Sequence, residues 1–308
     1  NQRPKTRVPL PRSQATPPSW QPTTENPRSV AKIGWAGSPR AGLASPTVSA
    51  RRPSPRFEFL DHDGPLAFAH RGGASEFPEN TMPAFEGAVR LGYRYLETDV
   101  HLTADGVLVA FHDEALDRVT DRRGLIADLP YREVAAARVG GSESIPRFDE
   151  LLAAFPHARF NVDPKADRSI DALAEIIRRA DAIDRVNLAA FDDARLARLR
   201  GILGPRLCTA LGPRATARVV AASRRVGRPS FAAGCVQVPT TYRGRPLVTG
   251  RFVDAAHRLG LQVHVWTIDD PVEMARLLDL GADGIMTDRP AVLRRVLEDR
   301  AEWTTDPD

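Results

Sequence analysis

Leu66-Ala67-Phe68-Ala69-His70-Arg71-Gly72-Gly73 opens on four apolar residues and closes on an imidazole, a guanidinium and two glycines. A short apolar run stopped by glycines reads as a buried strand. Helical spacing follows over Thr81–Leu91, and a second apolar run, Tyr95–Val100, comes after it. Strand, helix and strand in that order make a βαβ unit with a parallel sheet. The pattern then repeats. Further strands are expected at Arg159–Asp163, Val186–Ala190, Leu207–Leu211, Cys235–Val238, Gln262–Trp266 and Gly284–Met286. Helices are expected at Phe148–Phe155, Ser169–Ala180, Asp193–Gly201, Ala215–Ser223, Thr249–Leu259, Pro271–Leu280 and Pro290–Leu297. Eight such units in about 250 residues are the arithmetic of an α/β fold, the (β/α)8 or TIM barrel.

Val107–Phe111 breaks the rhythm, because only Thr103-Ala104-Asp105-Gly106 separates it from the second strand. Asp-Gly between two strands signals a hairpin, so this run is expected to return antiparallel or to form an irregular third strand. If Asp105-Gly106 is a two-residue turn, Ala104 pairs with Val107 and His112 falls opposite Asp99; a looser turn shifts this by about a residue. Residues 113–147 then form a small insertion above the barrel.

The formal charge of +4 conceals a division. Residues 1–56 hold ten basic side chains, eleven prolines and a single acid, Glu25, whereas residues 57–308 are net acidic. The first segment has too little apolar surface to offset the entropy of ordering and reads as a disordered basic leader. Its charges are thinly spread with few aromatics between them, so a solvated tail is preferred over a tether to lipid or nucleic acid, and no nucleic-acid partner is expected. Residues 57–308 are the barrel domain. No apolar run reaches the roughly 18 residues that a spanning helix needs. The leader lacks a secretory apolar region, so the expected compartment is the cytoplasm; export stays open because the sequence starts at Asn1. Cys208 and Cys235 are too few for a disulfide framework or a thiolate zinc site. Oligomeric state leaves no mark in the sequence.

In a βα barrel, chemistry sits where the strands end. His70 and Arg71 end the first strand, Glu97 and Asp99 lie at the end of the second, Asp163 and Lys165 close the third, and Trp266 closes the seventh, where it is expected to line a pocket. Glu97-Thr98-Asp99 has the two-residue strand period, which sends both carboxylates to one face roughly 6.5 Å apart. Such a pair repels unless a cation lies between, and Asp163 could add a third oxygen. Carboxylates without thiolates favour a hard ion, Mg²⁺ or Ca²⁺. An imidazole near neutral pKa suits acid–base work, and a guanidinium suits phosphate oxygens. From residue 57 onward there are thirty-two arginines and one lysine, Lys165, two residues from Asp163. Pro78-Glu79-Asn80-Thr81 and Thr287-Asp288-Arg289-Pro290 read chiefly as helix starts, with Asn80 or Thr81 as a cap.

These residues, in order and spacing, resemble the glycerophosphodiester phosphodiesterase family. The resemblance rests on Ala69-His70-Arg71-Gly72, Pro78-Glu79-Asn80-Thr81, Glu97-Thr98-Asp99-Val100, His112-Asp113, Leu116-Asp117-Arg118, Asn161-Val162-Asp163-Pro164-Lys165, Trp266-Thr267 and Gly281–Pro290, and covers about residues 64–297. It implies a TIM barrel and metal-dependent hydrolysis of a glycerophosphodiester to sn-glycerol 3-phosphate and an alcohol. By resemblance, His70 and His112 are the acid–base pair. Glu97, Asp99 and Asp163 bind one divalent cation, and Arg71 and Lys165 hold the phosphate. The family is thought to use the glycerol hydroxyl as an internal nucleophile, through a cyclic phosphate. Asp163 departs from the Glu common at that position, which puts the choice of ion in question. A lysophospholipase D-type activity on lysophospholipids is the nearest alternative and would need an apolar groove at the barrel mouth. A non-catalytic phosphodiester-binding barrel is the alternative of another class; it predicts a missing histidine or carboxylate, and none is missing.

Overall fold

The computed structural model describes residues 53–304; most of the basic leader, residues 1–52, lies outside the described residues. The chain runs β1 (Leu66–Ala69), α1 (Met82–Arg90), β2 (Tyr95–Leu102), β3 (Leu108–Ala110), α2 (Tyr131–Val134), α3 (Phe148–Ala154), β4 (Arg159–Pro164) and α4 (Ile170–Arg179). It continues through β5 (Val186–Leu188), α5 (Asp193–Leu203), β6 (Cys208–Thr209), α6 (Pro213–Ser223), β7 (Cys235–Val238), and a small hairpin of β8 (Thr241–Tyr242) and β9 (Arg245–Pro246). It ends with α7 (Gly250–Arg258), β10 (Gln262–Val265), α8 (Pro271–Asp279), β11 (Gly284–Thr287) and α9 (Pro290–Asp299). Every expected strand and helix is present, with ends displaced by a few residues.

Eight parallel strands follow one another in the order β6-β5-β4-β2-β1-β11-β10-β7. The last gap is bridged by an Ala210–Cys235 parallel pair, with Leu211 N donating to Cys235 O at 2.9 Å. The sheet therefore closes nearly into the (β/α)8 barrel. Strands covered on both faces need apolar residues in succession rather than in alternation. The fully buried Leu66–Ala69 run illustrates this. Helices hold the outer face through stripes such as Ala84, Phe85 and Ala88 on α1.

β3 pairs antiparallel with β2, as the hairpin predicts, but in a different register. Val100 faces Ala110 and Leu102 faces Leu108, so Thr103 sits opposite Val107 across a three-residue loop. Gly106 takes φ +85°, and Thr103 Oγ1 bonds both the Asp105 carboxylate and Val107 N. A left-handed glycine ending a three-residue loop is a favoured alternative to the two-residue turn. Phe111, not His112, consequently donates its N–H to Asp99 O at 2.9 Å, and His112 lies on the bend beyond the ladder. Residues 113–147 pack on their own small core, where Leu116, Ile126, Val134 and Val139 meet Val109 and Phe111.

The other end of the barrel is plugged. Phe57, Phe59 and Leu60 pack on Phe68, Tyr95 and the thiols of Cys208 and Cys235, which are both free and buried. The backbone of the plug is tied down: Tyr95 Oη and Arg159 Nη1 both donate to Phe59 O at 3.0 Å. Phe59 meets Tyr95 edge to face at 5.3 Å between ring centres. Truncating a buried phenylalanine costs about 3–5 kcal/mol. Phe59→Ala is expected to lower stability by about that much in equilibrium denaturation, and a loss below about 1 kcal/mol would show that the plug is dispensable.

Candidate active site

At the C-terminal end of β1 the chain makes a single tight turn, His70–Gly72, with Arg71 at φ +52° and Gly72 at φ +82°. A Cβ on Gly72 would lie 2.7 Å from the Ala84 Cβ, so only glycine lets this turn press against α1. The turn aims two groups at Glu97. Arg71 N donates to Glu97 Oε2 at 3.0 Å, and His70 Nε2 stands 3.8 Å from the same oxygen. On the other side of the ring, His70 Nδ1 lies 2.7 Å from Asp288 Oδ1. Burial works against charging this imidazole, but the Glu97 and Asp288 carboxylates outweigh it and hold the His70 pKa above its ordinary value. Asp288 is itself positioned by its N–H, which donates to Asp269 Oδ1 at 2.9 Å. Thr287–Pro290 does start a helix, with Arg289 the N-cap of α9 and no side-chain cap bond, but Asp288 also turns toward His70.

β2 and β4 run parallel with Asp99 beside Asp163 and Glu97 beside Asn161. Neighbouring residues of a parallel ladder present their side chains to the same face, so the carboxylates line one cavity. Lys165 Nζ bridges two of them, 2.6 Å from Asp99 Oδ1 and 2.9 Å from Asp163 Oδ2. Burial would lower the lysine pKa, but the two carboxylates raise it, and the ammonium stays charged. Asp163 is pushed upward, first by burial, with Lys165 opposing. Glu97 fares worse. It is 5% exposed, and burial together with Asp99 raises its pKa to about 7. Among the described residues no three His, Cys, Asp or Glu side chains are gathered closely enough to cage a metal ion. The donor chemistry still fits a hard cation: the set is all oxygen, and the Arg71 N–H and His70 only partly offset the Glu97 charge.

His112 enters the cavity from the bend after β3. Its Nδ1 is 2.5 Å from Asp113 Oδ1, and Arg118 grips Asp113 through Nε at 2.5 Å and Nη2 at 3.1 Å. Arg118 also holds Glu79, at 3.0 and 2.6 Å, and Glu79 Oε1 accepts from Arg71 Nη1 at 3.0 Å. Burial opposes ionisation of Glu79, yet these arginines keep its pKa low. Thr81 is the N-cap of α1, as expected, but makes no side-chain cap bond. Asn80, at φ +55°, accepts from Thr98 Oγ1 at 2.7 Å and reaches Asp99 Oδ2 at 3.4 Å. The Pro78–Thr81 segment therefore serves the site. Arg118 and Asp288 stand inside the motifs quoted above, but nothing in their spacing shows that Asp288 meets His70 or that Arg118 ties Asp113 to Glu79.

Trp266 lies on the cavity wall with Phe191 edge-on at 5.9 Å. The cavity measures about 1400 Å³ and contains His70, Arg71, His112 and Lys165 at one end. All eight residues proposed from the sequence border it.

Hydrogen bonds from Arg118 hold Asp113 at a pKa of about 2, against the opposing effect of burial. A carboxyl depressed on folding stabilises the fold fully above its unfolded pKa, near 3.9, and that contribution is lost as pH falls toward 2. Asp113→Asn is expected to flatten the melting-temperature slope between about pH 4 and 2. Parallel curves for variant and parent would remove the Arg118 pairing from the stability balance.

A family model for the glycerophosphoryl diester phosphodiesterase family matches residues 70–292. A Mycobacterium tuberculosis relative named "Probable glycerophosphodiester phosphodiesterase 2" is 40% identical over 256 residues, covering 81% of this chain and 97% of its own. A lysophospholipase D of Homo sapiens is 30% identical over 298 residues, covering 83% and 91%. A crystal structure from Silicibacter pomeroyi, whose name assigns it to the same family, is 27% identical with a TM-score of 0.67 and covers 80% of this chain and 98% of its own. The barrel, the ordered motifs around its mouth and these matches agree, and the chain belongs to the glycerophosphoryl diester phosphodiesterase family of phosphodiester hydrolases.

Proposed function

We propose that the chain cleaves glycerophosphodiesters to sn-glycerol 3-phosphate and an alcohol by acid–base catalysis shared between His70 and His112. The observation that carries this reading is two imidazoles bordering one cavity, each backed at Nδ1 by a carboxylate, Asp288 or Asp113. His70 faces carboxylates at both ring nitrogens and favours the imidazolium, which suits a general acid. Ionised Asp113 accepts from His112 Nδ1–H, which leaves Nε2 able to take a proton. In the first step His112 removes the proton of the glycerol hydroxyl, whose oxygen bonds to phosphorus. The bond to the alcohol breaks, and His70 protonates the departing oxygen. The roles then reverse: His70 takes a proton from water, whose oxygen bonds to phosphorus, the bond from phosphorus to the glycerol ring oxygen breaks, and His112 returns a proton to that oxygen. Such intramolecular attack gains rate from proximity alone.

Arg71 Nε is buried without a hydrogen-bond partner, 3.5 Å from Asp99 Oδ2, and supports a phosphate-binding role. Lys165 adds a point charge beside it. Glu97, Asp99 and Asp163 would hold one Mg²⁺ or Ca²⁺, which when bound supplies positive charge to the phosphate oxygens and relieves the Glu97–Asp99 repulsion. Lys165 engages both Asp99 and Asp163, so a cation held there would share these two carboxylates with the ammonium.

A second reading has its own support. Away from the histidines the cavity runs on between apolar residues, among them Leu211, Val220, Val238, Leu247 and Phe252. That lining could accept the acyl chain of a lysophospholipid, and the human relative carries the name lysophospholipase D. The deciding assay compares glycerophosphocholine, glycerophosphoethanolamine, glycerophosphoglycerol and lysophosphatidylcholine with Mg²⁺ or Ca²⁺. Turnover of the first three supports the principal reading, and turnover of lysophosphatidylcholine alone transfers it to the second. His70→Ala and His112→Ala should each lower kcat by about two decades or more, and chelation should abolish a rate that added cation restores. Near-normal turnover in either variant would remove that residue from the chemistry. Asp288→Asn should move the alkaline limb of the pH–rate profile to lower pH, because one of the carboxylates raising the pKa of the general acid His70 is gone.

A further inference from the structure

From Ala194 to Val253 the sequence contains twelve arginines and no Asp, Glu or Lys, within a domain that is otherwise acidic. Three of the twelve are paired outward from this stretch: Arg195 with Asp167, Arg198 with Asp171 and Arg206 with Asp184. Arg224, Arg243, Arg245 and Arg251 are exposed and form no ion pair among the described residues. They are not scattered. Arg224, Arg245 and Arg251 border the far arm of the cavity, and Arg243 stacks on the Tyr242 ring at 5.4 Å.

Large apolar side chains stand among them. Phe191 is 72% exposed and Tyr242 is 60% exposed, and both border the same cavity. Tyr242 sits on the β8–β9 hairpin, a two-stranded ribbon whose four strand residues are all exposed. α6 completes this wall by turning Pro213, Ala217, Val220 and Arg224 toward the cavity at helical spacing, while only Val219 of the helix is buried. Protruding aromatics ringed by unpaired cations at an apolar opening match the two layers of a lipid interface. Anionic headgroups meet the guanidiniums, and the acyl region meets the rings. Among the described residues no helix is long and apolar enough to cross a membrane.

We infer that the face formed by the β8–β9 hairpin, the C-terminal end of α6 and Phe191 docks on bilayers containing anionic lipid, with the apolar arm of the cavity opening toward the membrane. The inference extends the second reading of the site, since docking would present a lipid to the groove, but binding is measured without turnover. The protein docks by two independent contributions, one electrostatic and one apolar.

The test uses the full chain, so that the basic leader is common to every sample. Parent and the triple variant Arg224→Glu, Arg243→Glu, Arg245→Glu are sedimented with phosphatidylcholine vesicles that contain or lack phosphatidylglycerol. The parent should bind the anionic vesicles, less strongly as salt rises, and the triple variant should bind at least tenfold more weakly. The double variant Phe191→Ser, Tyr242→Ser should weaken binding several-fold at a salt concentration where the charge contribution is screened. All substituted residues are exposed, and unchanged melting temperatures will show that the fold survives. Equal vesicle affinity for parent and triple variant would overturn the inference and leave any binding to the leader. A parent that prefers a duplex oligonucleotide to anionic vesicles, with no effect of the double variant, would overturn it as well. Vesicle binding that the triple variant loses, without cleavage of lysophosphatidylcholine, would sink the acyl-chain reading while sustaining the docking face; cleavage without vesicle binding would do the reverse.

Discussion

Asp99 and Asp163 stand side by side because β2 and β4 pair in parallel register, and the arrangement at the barrel mouth depends on that pairing. Two carboxylates held on neighbouring strands repel and are poorly solvated, so the surroundings must supply positive charge. Lys165 provides part of it by reaching back across both. Glu97, two residues earlier on β2, receives the Arg71 N–H and the distant edge of His70, and its pKa still rises to about 7. A site under this much negative strain is one that a cation or a phosphate-bearing ligand organised with one would relieve.

The histidines are held by a shell that comes from the ends of the domain and from the insertion. Asp288, at the end of β11, fixes His70 across the seam where the last strand meets the first. Asp113, at the start of the insertion, fixes His112 and is gripped by Arg118. Glu79 then joins Arg118 to Arg71, so the insertion and the β1 turn are locked by one carboxylate. Orientation of this kind fixes which imidazole nitrogen is left to face the cavity.

Beyond the histidines the cavity changes character. Polar groups crowd the end built by β1, β2 and β4, whereas α6 and the β7–α7 connection contribute apolar walls and an arginine rim. In βα barrels generally, chemistry sits at the strand ends and the loops beyond them carry specificity. An acid-rich centre thus adjoins an arm lined without acidic side chains.

Much of this was legible one residue at a time. Eight apolar runs alternating with helical spacing sufficed for the barrel, since a strand buried on both faces must be apolar throughout. Period-two spacing put Glu97 and Asp99 on one face, and Asp163 and Lys165 on another strand end, because alternation is a local property of extended chain. The hairpin register escaped by one residue: the choice between a two- and a three-residue turn rested on Gly106 and on Thr103 bonding across the loop. Tertiary structure alone decided that Asp288 meets His70 across 218 positions of chain, that Glu79 joins Arg71 to Arg118, and that arginines of α6 and the hairpin share a rim with Phe191. Periodicity records which way a side chain points from its own strand or helix; which distant group it meets is set by barrel closure and packing, and local sequence holds no trace of that.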